Sequence, residues 1–304
     1  MTHPIYQQLH TIRDWLRFTV SQFEESNIFF GHGTDNSYDE AVWLVMSALH
    51  LPHDTLHNFL DAVITETERK HLAHLIDQRV TKRIPTAYLV REAWLRGFKF
   101  YVDERVIVPR SFIAELLDFE DGTSSLQPWI EYPELIHSAV DICTGSGCLG
   151  ILLANAFPDA EIDVVDISSD AIAVANINIA NYGLQGQITA IQSDMFKALK
   201  DKTYDLMISN PPYVDAPSMA KLPTEYRNEP QIALGSGVAG LDHTHTILRE
   251  AAKYLNDEGI LVVEIGHNRD ALLDAYPDLD FTWLQVESGD QFVFLLTKEQ
   301  LIKN

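Results

Sequence analysis

Four consecutive residues, Asn210-Pro211-Pro212-Tyr213, follow the run Tyr204-Asp205-Leu206-Met207-Ile208-Ser209, which reads as a strand. Open α/β sheets bind ligands beyond the carboxyl ends of their strands, so these residues stand in the right place for chemistry. Their types say which chemistry. The Asn210 side-chain oxygen and the Pro211 carbonyl are acceptors that can each take one N–H of a planar NH2 group. That fixes a nitrogen whose lone pair is delocalised, and aims the lone pair at an electrophilic methyl group. Proline contributes rigidity and no competing donor, and the flat Tyr213 ring can cover a planar target. Asn210, Pro211 and Tyr213 are therefore the candidate catalytic group, and the whole run, Pro212 included, is the candidate substrate contact. Direct displacement of this kind needs no metal and no strong base, because the nitrogen's proton turns acidic once it is alkylated.

A second constellation lies upstream. Val140-Asp141-Ile142-Cys143-Thr144-Gly145-Ser146-Gly147-Cys148-Leu149-Gly150 runs from a strand into a helix, and its glycines satisfy G-x-G-x-x-G. Glycines let the backbone bend sharply and approach a ligand, while the helix start offers free N–H groups. Alone, the pattern fits a nicotinamide dehydrogenase as well as a methyltransferase. Asp166, 25 residues after Asp141 (166 − 141), ends the next strand, where a carboxylate can accept both ribose hydroxyls of an adenosine. Asp141 tilts the balance. A buried acid ahead of the glycines can order the loop and receive the ammonium of S-adenosylmethionine, but it would repel a pyrophosphate. Ser193-Asp194-Met195 ends a third strand, where Asp194 and a backbone N–H are placed either to read an adenine edge or to serve as a solvent-facing cap. The candidate cofactor contacts are Asp141, Cys143, Thr144, Gly145, Ser146, Gly147, Asp166, Asp194, Met195 and Asn210. Asn228-Glu229-Pro230 and Glu264-Ile265-Gly266 fall on loops at the same sheet edge, lining the pocket or shaping loops.

The elements that must position these groups form two domains. Residues 1–88 read as a helical module and residues 89–304 as the methyltransferase domain. Ile12, Trp15, Leu16 and Phe23 keep one helical face, with Thr19 in the gap. Ser37 with Glu40 gives a capping-box pattern ahead of the stripe Ala41, Val42, Val45, Met46 and Leu49. Leu56, Leu60 and Val63 mark a third piece, and Leu72, Leu75, Ile76 and Val80 a fourth. The loop between the first two helices, Phe30 to Asn36, reads as a connection. Trp94–Phe100 and Glu104–Val108 read as a β-hairpin, residues 94–108, and a polar loop spans Asp121 to Ser125. Thereafter strands and helices alternate. Ser138–Ile142, Glu161–Asp166, Ile188–Ser193, Tyr204–Ser209 and Gly259–Ile265 read as strands of a parallel sheet covered on both faces. Phe281–Val286 and Gln291–Thr297 add an antiparallel edge. The expected fold is thus a Rossmann-like, seven-stranded class I methyltransferase sheet with a small helical N-terminal domain.

Composition narrows the partners. The formal charge of −22 weighs against direct grip on nucleic acid, which needs Lys and Arg against phosphates, and favours a basic partner. The polar start, Met1 to Gln8, lacks the apolar stretch of a signal peptide, and no apolar run is long enough to cross a bilayer. The expectation is a cytoplasmic protein without a membrane partner. Cys143 and Cys148 are too few to close a zinc site, and no metal ligand set is expected. His243 and His245 are read as surface residues.

At this point the chain resembles the protein-glutamine amide methyltransferase family, through Arg83-Ile84-Pro85, Phe100-Tyr101-Val102, Val108-Pro109-Arg110, Asp141 to Gly147, Asn210 to Tyr213 and Asn228-Glu229-Pro230. Gly31-His32-Gly33-Thr34-Asp35-Asn36, Ala93-Trp94 and Cys143 to Cys148 are similar to the branch modifying the third protein of the large ribosomal subunit. Ser111-Phe112-Ile113 and Cys143 stand where the release-factor branch has Pro-Glu-Thr-Glu and a glycine. The ribosomal-protein branch usually has a second proline at the position of Phe112. The resemblance implies S-adenosylmethionine as cofactor, a glutamine side chain as acceptor and a basic large-subunit ribosomal protein as substrate. The rival readings are a release-factor glutamine methyltransferase, an adenine amino-group methyltransferase acting on nucleic acid, and a ribosome-assembly factor that binds without turnover.

Overall fold

A computed structural model describes residues 4–119 and 122–303; Met1 to His3 of the polar start and Asp121 of the polar loop lie outside the described residues. Five helices come first: α1 (Ile12–Glu25), α2 (Ser37–Ala48), α3 (Leu56–Phe59), α4 (Glu66–Lys82) and α5 (Thr86–Val90). Ile12, Trp15, Leu16 and Phe23 of α1 pack with Ala41, Leu44 and Val45 of α2 and Leu72, Leu75 and Ile76 of α4 in one apolar core, while Thr19 is buried with its hydroxyl bonded to the Trp15 carbonyl. The third stripe breaks early. Helix α3 ends at Phe59, and Val63 is 74% exposed in a short extended bridge to Thr11, where helical spacing has no meaning.

Helix α2 is capped differently from expectation. Asn36 is its N-cap, accepting the Asp39 N–H at 2.9 Å, while Ser37 donates to Glu24. Glu40 turns inward to Arg79, which is fully buried, and also accepts from Thr86 and Thr34. A buried guanidinium is a stronger partner for that carboxylate than a helix-end amide, so the capping box gives way.

The hairpin also differs. Strands β1 (Ala93–Leu95) and β2 (Phe98–Phe100) pair antiparallel across Arg96-Gly97, both left-handed at φ 49° and 79°. It is closed within residues 93–100 because these two residues make the tight turn. Residues 104–108 form no strand. Val106 and Val108 are buried in the core, and the Val106 carbonyl and Val108 N–H are taken by Tyr88 and Glu229.

After the short helix α6 (Ile113–Leu116), strands β3 (Ser138–Ile142), β4 (Glu161–Asp166), β5 (Ile188–Gln192), β6 (Tyr204–Ser209), β7 (Leu255–Glu264), β8 (Thr282–Trp283) and β9 (Val293–Thr297) form a seven-stranded sheet in the order β5-β4-β3-β6-β7-β9-β8. The first five are parallel, and β9 runs antiparallel between β7 and β8. Helices α7 (Cys148–Ala156), α8 (Ser169–Asn181), α9 (Ala216–Met219), α10 (Asp242–Glu250), α11 (Arg269–Ala275) and α12 (Lys298–Ile302) complete the chain. Alternate strand residues serve the two faces: Leu206 and Ile208 join one core, Met207 with Val140 and Ile142 the other. Strand order reverses at β3 and β6, where Ile142 is level with Ser209, so Cys143 and Asn210 leave the sheet side by side.

Gly150 fixes how closely α7 lies on that sheet, since a Cβ there would sit 2.2 Å from Val164 Cγ1. Gly150→Ala is expected to destabilise the protein by about 1–3 kcal/mol, the usual result of overpacking. Denaturant unfolding measures it, and unchanged stability would show that the helix–strand spacing is not set by this glycine. Among the described residues, no helix is long and apolar enough to cross a membrane.

Candidate active site

A cleft of about 1030 Å³, its open mouth included, lies over the β3–β6 switch point. Cys143, Thr144, Gly145, Ser146, Asp166, Asp194, Met195, Asn210 and Pro212 form its wall. Asp141, Gly147, Pro211 and Tyr213 adjoin wall residues in the chain without being part of the wall.

The glycine-rich loop takes its shape from left-handed residues, Cys143 at φ 65°, Gly145 at 57° and Gly147 at 80°. A Cβ on Gly147 would press on Ala175 at 3.1 Å, whereas one on Gly145 would meet nothing within 4 Å. Asp166 holds the loop, its two oxygens accepting the Gly145 and Ser168 N–H groups, each at 2.9 Å. Each oxygen keeps a further lone pair for a ligand. Asp194 is an edge residue, paired with Lys197 at 2.5 Å, and the Met195 sulfur lies 4.0 Å from the Cys143 thiol. Burial pushes that thiol well above its ordinary range.

Beneath the loop, Asp141 accepts from the Thr144 hydroxyl at 2.5 Å, and its other oxygen, Oδ1, is buried without a partner. Burial, with repulsion from Asp166, pushes Asp141 up to about 7 against the Thr144 bond. Glu264, at the end of β7, is likewise pushed up to about 7 by burial, against hydrogen bonds from Ser111, Phe112 and Tyr213. An acid whose folded pKa exceeds its unfolded value, near 4, keeps an extra proton in the native state between the two, so its stabilisation is complete below the unfolded pKa and is lost as pH rises through the folded one. The unfolding free energy of the ligand-free protein is therefore expected to fall from about pH 5 to about pH 8, with Asp141→Asn flattening the fall. Parallel pH profiles for wild type and variant would reject the buried carboxyl as the cause.

Asn210 is set by its neighbour across the cleft. Its Nδ2 donates to the Arg110 carbonyl at 3.1 Å, which leaves Oδ1 as the acceptor in the cleft wall. Tyr213 is turned away: its hydroxyl donates to Glu264 at 3.2 Å, its ring lies against Gly266, and its carbonyl accepts from Asn268. Burial pushes the Tyr213 phenol up as well.

Four residues join the site that sequence reasoning placed elsewhere or left open: Arg110, Glu229, Pro230 and His243. Arg110 lines the cleft and forks onto Glu229 at 2.7 and 2.6 Å. Glu229 of Asn228-Glu229-Pro230 is buried and also accepts the Val108 N–H at 2.9 Å, while Pro230 reaches the cleft wall. Burial alone would raise the Glu229 pKa, but the neighbouring His32 and Arg110 side chains outweigh it and hold the carboxyl at about 2. His243, expected on the surface, is half-buried in the cleft wall beside the Ser236 hydroxyl at 2.7 Å, and His245 is half-buried against the Tyr276 hydroxyl at 2.8 Å. Helix α10 packs on the sheet through Ile247 and Leu248, which turns both histidines partly inward. The Pro109-Arg110 pair was a visible signal for Arg110; no local spacing signals its partner 119 residues away.

A glycine-rich loop and an acceptor-bearing Asn-Pro-Pro-Tyr turn, meeting at the switch point of this mixed sheet, define a methyltransferase. Residues 114–223 match the family described as the methyltransferase small domain. Along nearly its whole length the chain is similar to proteins named ribosomal protein uL3 glutamine methyltransferase. It is 58% identical to that of Neisseria gonorrhoeae (97% of each chain) and 53% identical to that of Bordetella pertussis (97% of each). Identity to the Burkholderia pseudomallei protein is 51%, over 96% of this chain and 95% of that one. The chain belongs to the ribosomal protein uL3 glutamine methyltransferase family.

Proposed function

We propose that this enzyme transfers a methyl group from S-adenosylmethionine to the side-chain amide nitrogen of a glutamine in the large-subunit ribosomal protein uL3, in the cytoplasm. The observation that carries this is the pinned Asn210 amide, whose oxygen is left as an acceptor beside the glycine-rich loop. When bound, the cofactor supplies an electrophilic methyl group on a sulfonium sulfur. The residues fit it. The orphaned Asp141 Oδ1 suits the ammonium group, the open side of Gly145 leaves room for close backbone approach, and the Asp166 oxygens suit the ribose hydroxyls. Asn210 Oδ1 and the Pro211 carbonyl take the two amide N–H groups and orient the nitrogen. Tyr213, bonded to Glu264, supports the turn from behind. The helical module of residues 1–88 supplies client contacts, since a pocket for one NH2 group does not choose among glutamines.

The charge of −22 favours a basic protein over nucleic acid as partner. The test offers labelled S-adenosylmethionine with purified uL3, a release factor and RNA in separate reactions, followed by mapping of the label. Label on a uL3 glutamine is the expected result. Label on a release factor or on adenine in RNA would replace this reading with the corresponding rival.

A further inference from the structure

Segment 225–229 is tied to the helical module through Glu225 and Asn228. Glu225 accepts the Phe29 N–H at 3.1 Å and lies 3.5 Å from both Arg79 and Arg83, while Asn228 donates to the Arg83 carbonyl at 2.9 Å. His32, also buried, lies against Tyr226 with ring centres 4.4 Å apart and the planes tilted by 44°, and brings its Nε2 to 3.6 Å from Glu229 Oε1. Tyr226 in turn lies under the Arg110 guanidinium at 5.1 Å. These contacts hold the segment that ends in Glu229, and Glu229 grips Arg110 by its fork and the approach to it by the Val108 N–H. The same Arg110 presents the carbonyl that pins Asn210.

We propose that Glu229 is a positioning residue for methyl transfer: it sets the Arg110 carbonyl, and through it the Asn210 amide, and His32 extends this brace into the helical module. The inference rests on the proposed role of Asn210. It gives residues 1–88 a second task beyond client contact, because without them a buried acid loses its support and the carbonyl opposite Asn210 loses its anchor.

An amide oxygen that must meet one N–H of its target while the Pro211 carbonyl meets the other is sensitive to displacements well under an ångström. A backbone carbonyl on an irregular segment moves that much unless something rigid holds the chain. A two-pronged, charge-assisted pair in a buried setting is the most directional holder available.

A double-mutant cycle tests it, with Glu229→Gln chosen because it keeps the shape and one acceptor but removes the charge. In the wild-type background, Glu229→Gln is expected to lower kcat about tenfold or more, with KM for the client and cofactor affinity within about twofold of normal. In the Asn210→Ala background it is expected to change the residual kcat by less than about twofold, since the group it positions is gone. Equal fold losses in both backgrounds would overturn the proposal, as would a fall in cofactor affinity matching the fall in kcat. Should Glu229→Gln not fold, His32→Gln enters the same cycle with the same criteria and a smaller expected loss. If Asn210→Ala itself keeps normal turnover, the proposed function fails first, and the two failures are told apart by that single variant.

Discussion

Asn210→Ala is expected to lower turnover by about a hundredfold or more while cofactor affinity stays within about twofold. The expectation follows from what the side chain touches. Its nitrogen gives one N–H to the Arg110 carbonyl, which fixes the amide's orientation and leaves the oxygen as its acceptor in the cleft wall. Removing it leaves the cofactor loop untouched, because Gly145, Thr144 and Asp166 are bonded among other groups. What is lost is the alignment of the acceptor nitrogen, which matters only when the methyl is transferred. Single-turnover rates with saturating uL3, set beside calorimetric cofactor titrations, separate the two quantities. An Asn210→Ala enzyme keeping a tenth of normal turnover would remove Asn210 from the chemistry. Asn210→Asp sharpens the test. A carboxylate keeps an acceptor but has no N–H for the Arg110 carbonyl, so the two oxygens repel and the side chain swings off its perch. Aspartate is therefore expected to fail nearly as badly as alanine.

Asp166→Ala should do the opposite, weakening cofactor binding by a factor on the order of 30 or more, as the loss of a charge-assisted hydrogen-bond pair worth roughly 2–4 kcal/mol implies. Two losses combine here. The ribose hydroxyls lose their acceptor, and the Gly145 and Ser168 N–H groups lose theirs, so the loop after β3 loosens as well. Asp166→Asn is expected to rescue little. One carboxamide oxygen can serve a single loop N–H, while the new NH2 faces a donor on the other side. Turnover at saturating cofactor should recover most of its normal value in both variants, since neither touches Asn210. Calorimetry showing unchanged affinity would sink the ribose assignment and leave Asp166 as a loop brace only.

Cys143 shows how a local motif and a fold-level demand meet. It occupies a left-handed position, φ 65°, that glycine adopts without strain. The thiol rests against the Met195 sulfur and lines the cleft, which gives the side chain a reason to be present despite the backbone cost.

Much of the enzyme was legible in the residues themselves. Short continuous apolar runs marked the parallel strands, because burial on both faces demands them, and the 3.6-residue period marked the covering helices. The glycine-rich turn and Asn-Pro-Pro-Tyr were legible for the same reason: each is a contiguous stretch whose chemistry depends on neighbours a few residues away. Tertiary structure alone decided the pairings. The insertion of β9 between β7 and β8, the inward turn of Glu40 to Arg79 and the partly buried His243 depend on which elements meet. The bond from Asn210 to the Arg110 carbonyl crosses 100 residues of chain, and that from Arg110 to Glu229 crosses 119. No periodicity links such positions. A hydrogen bond or ion pair is specified by the distance between two groups in space, and that distance exists only once the sheet and the helical module have packed.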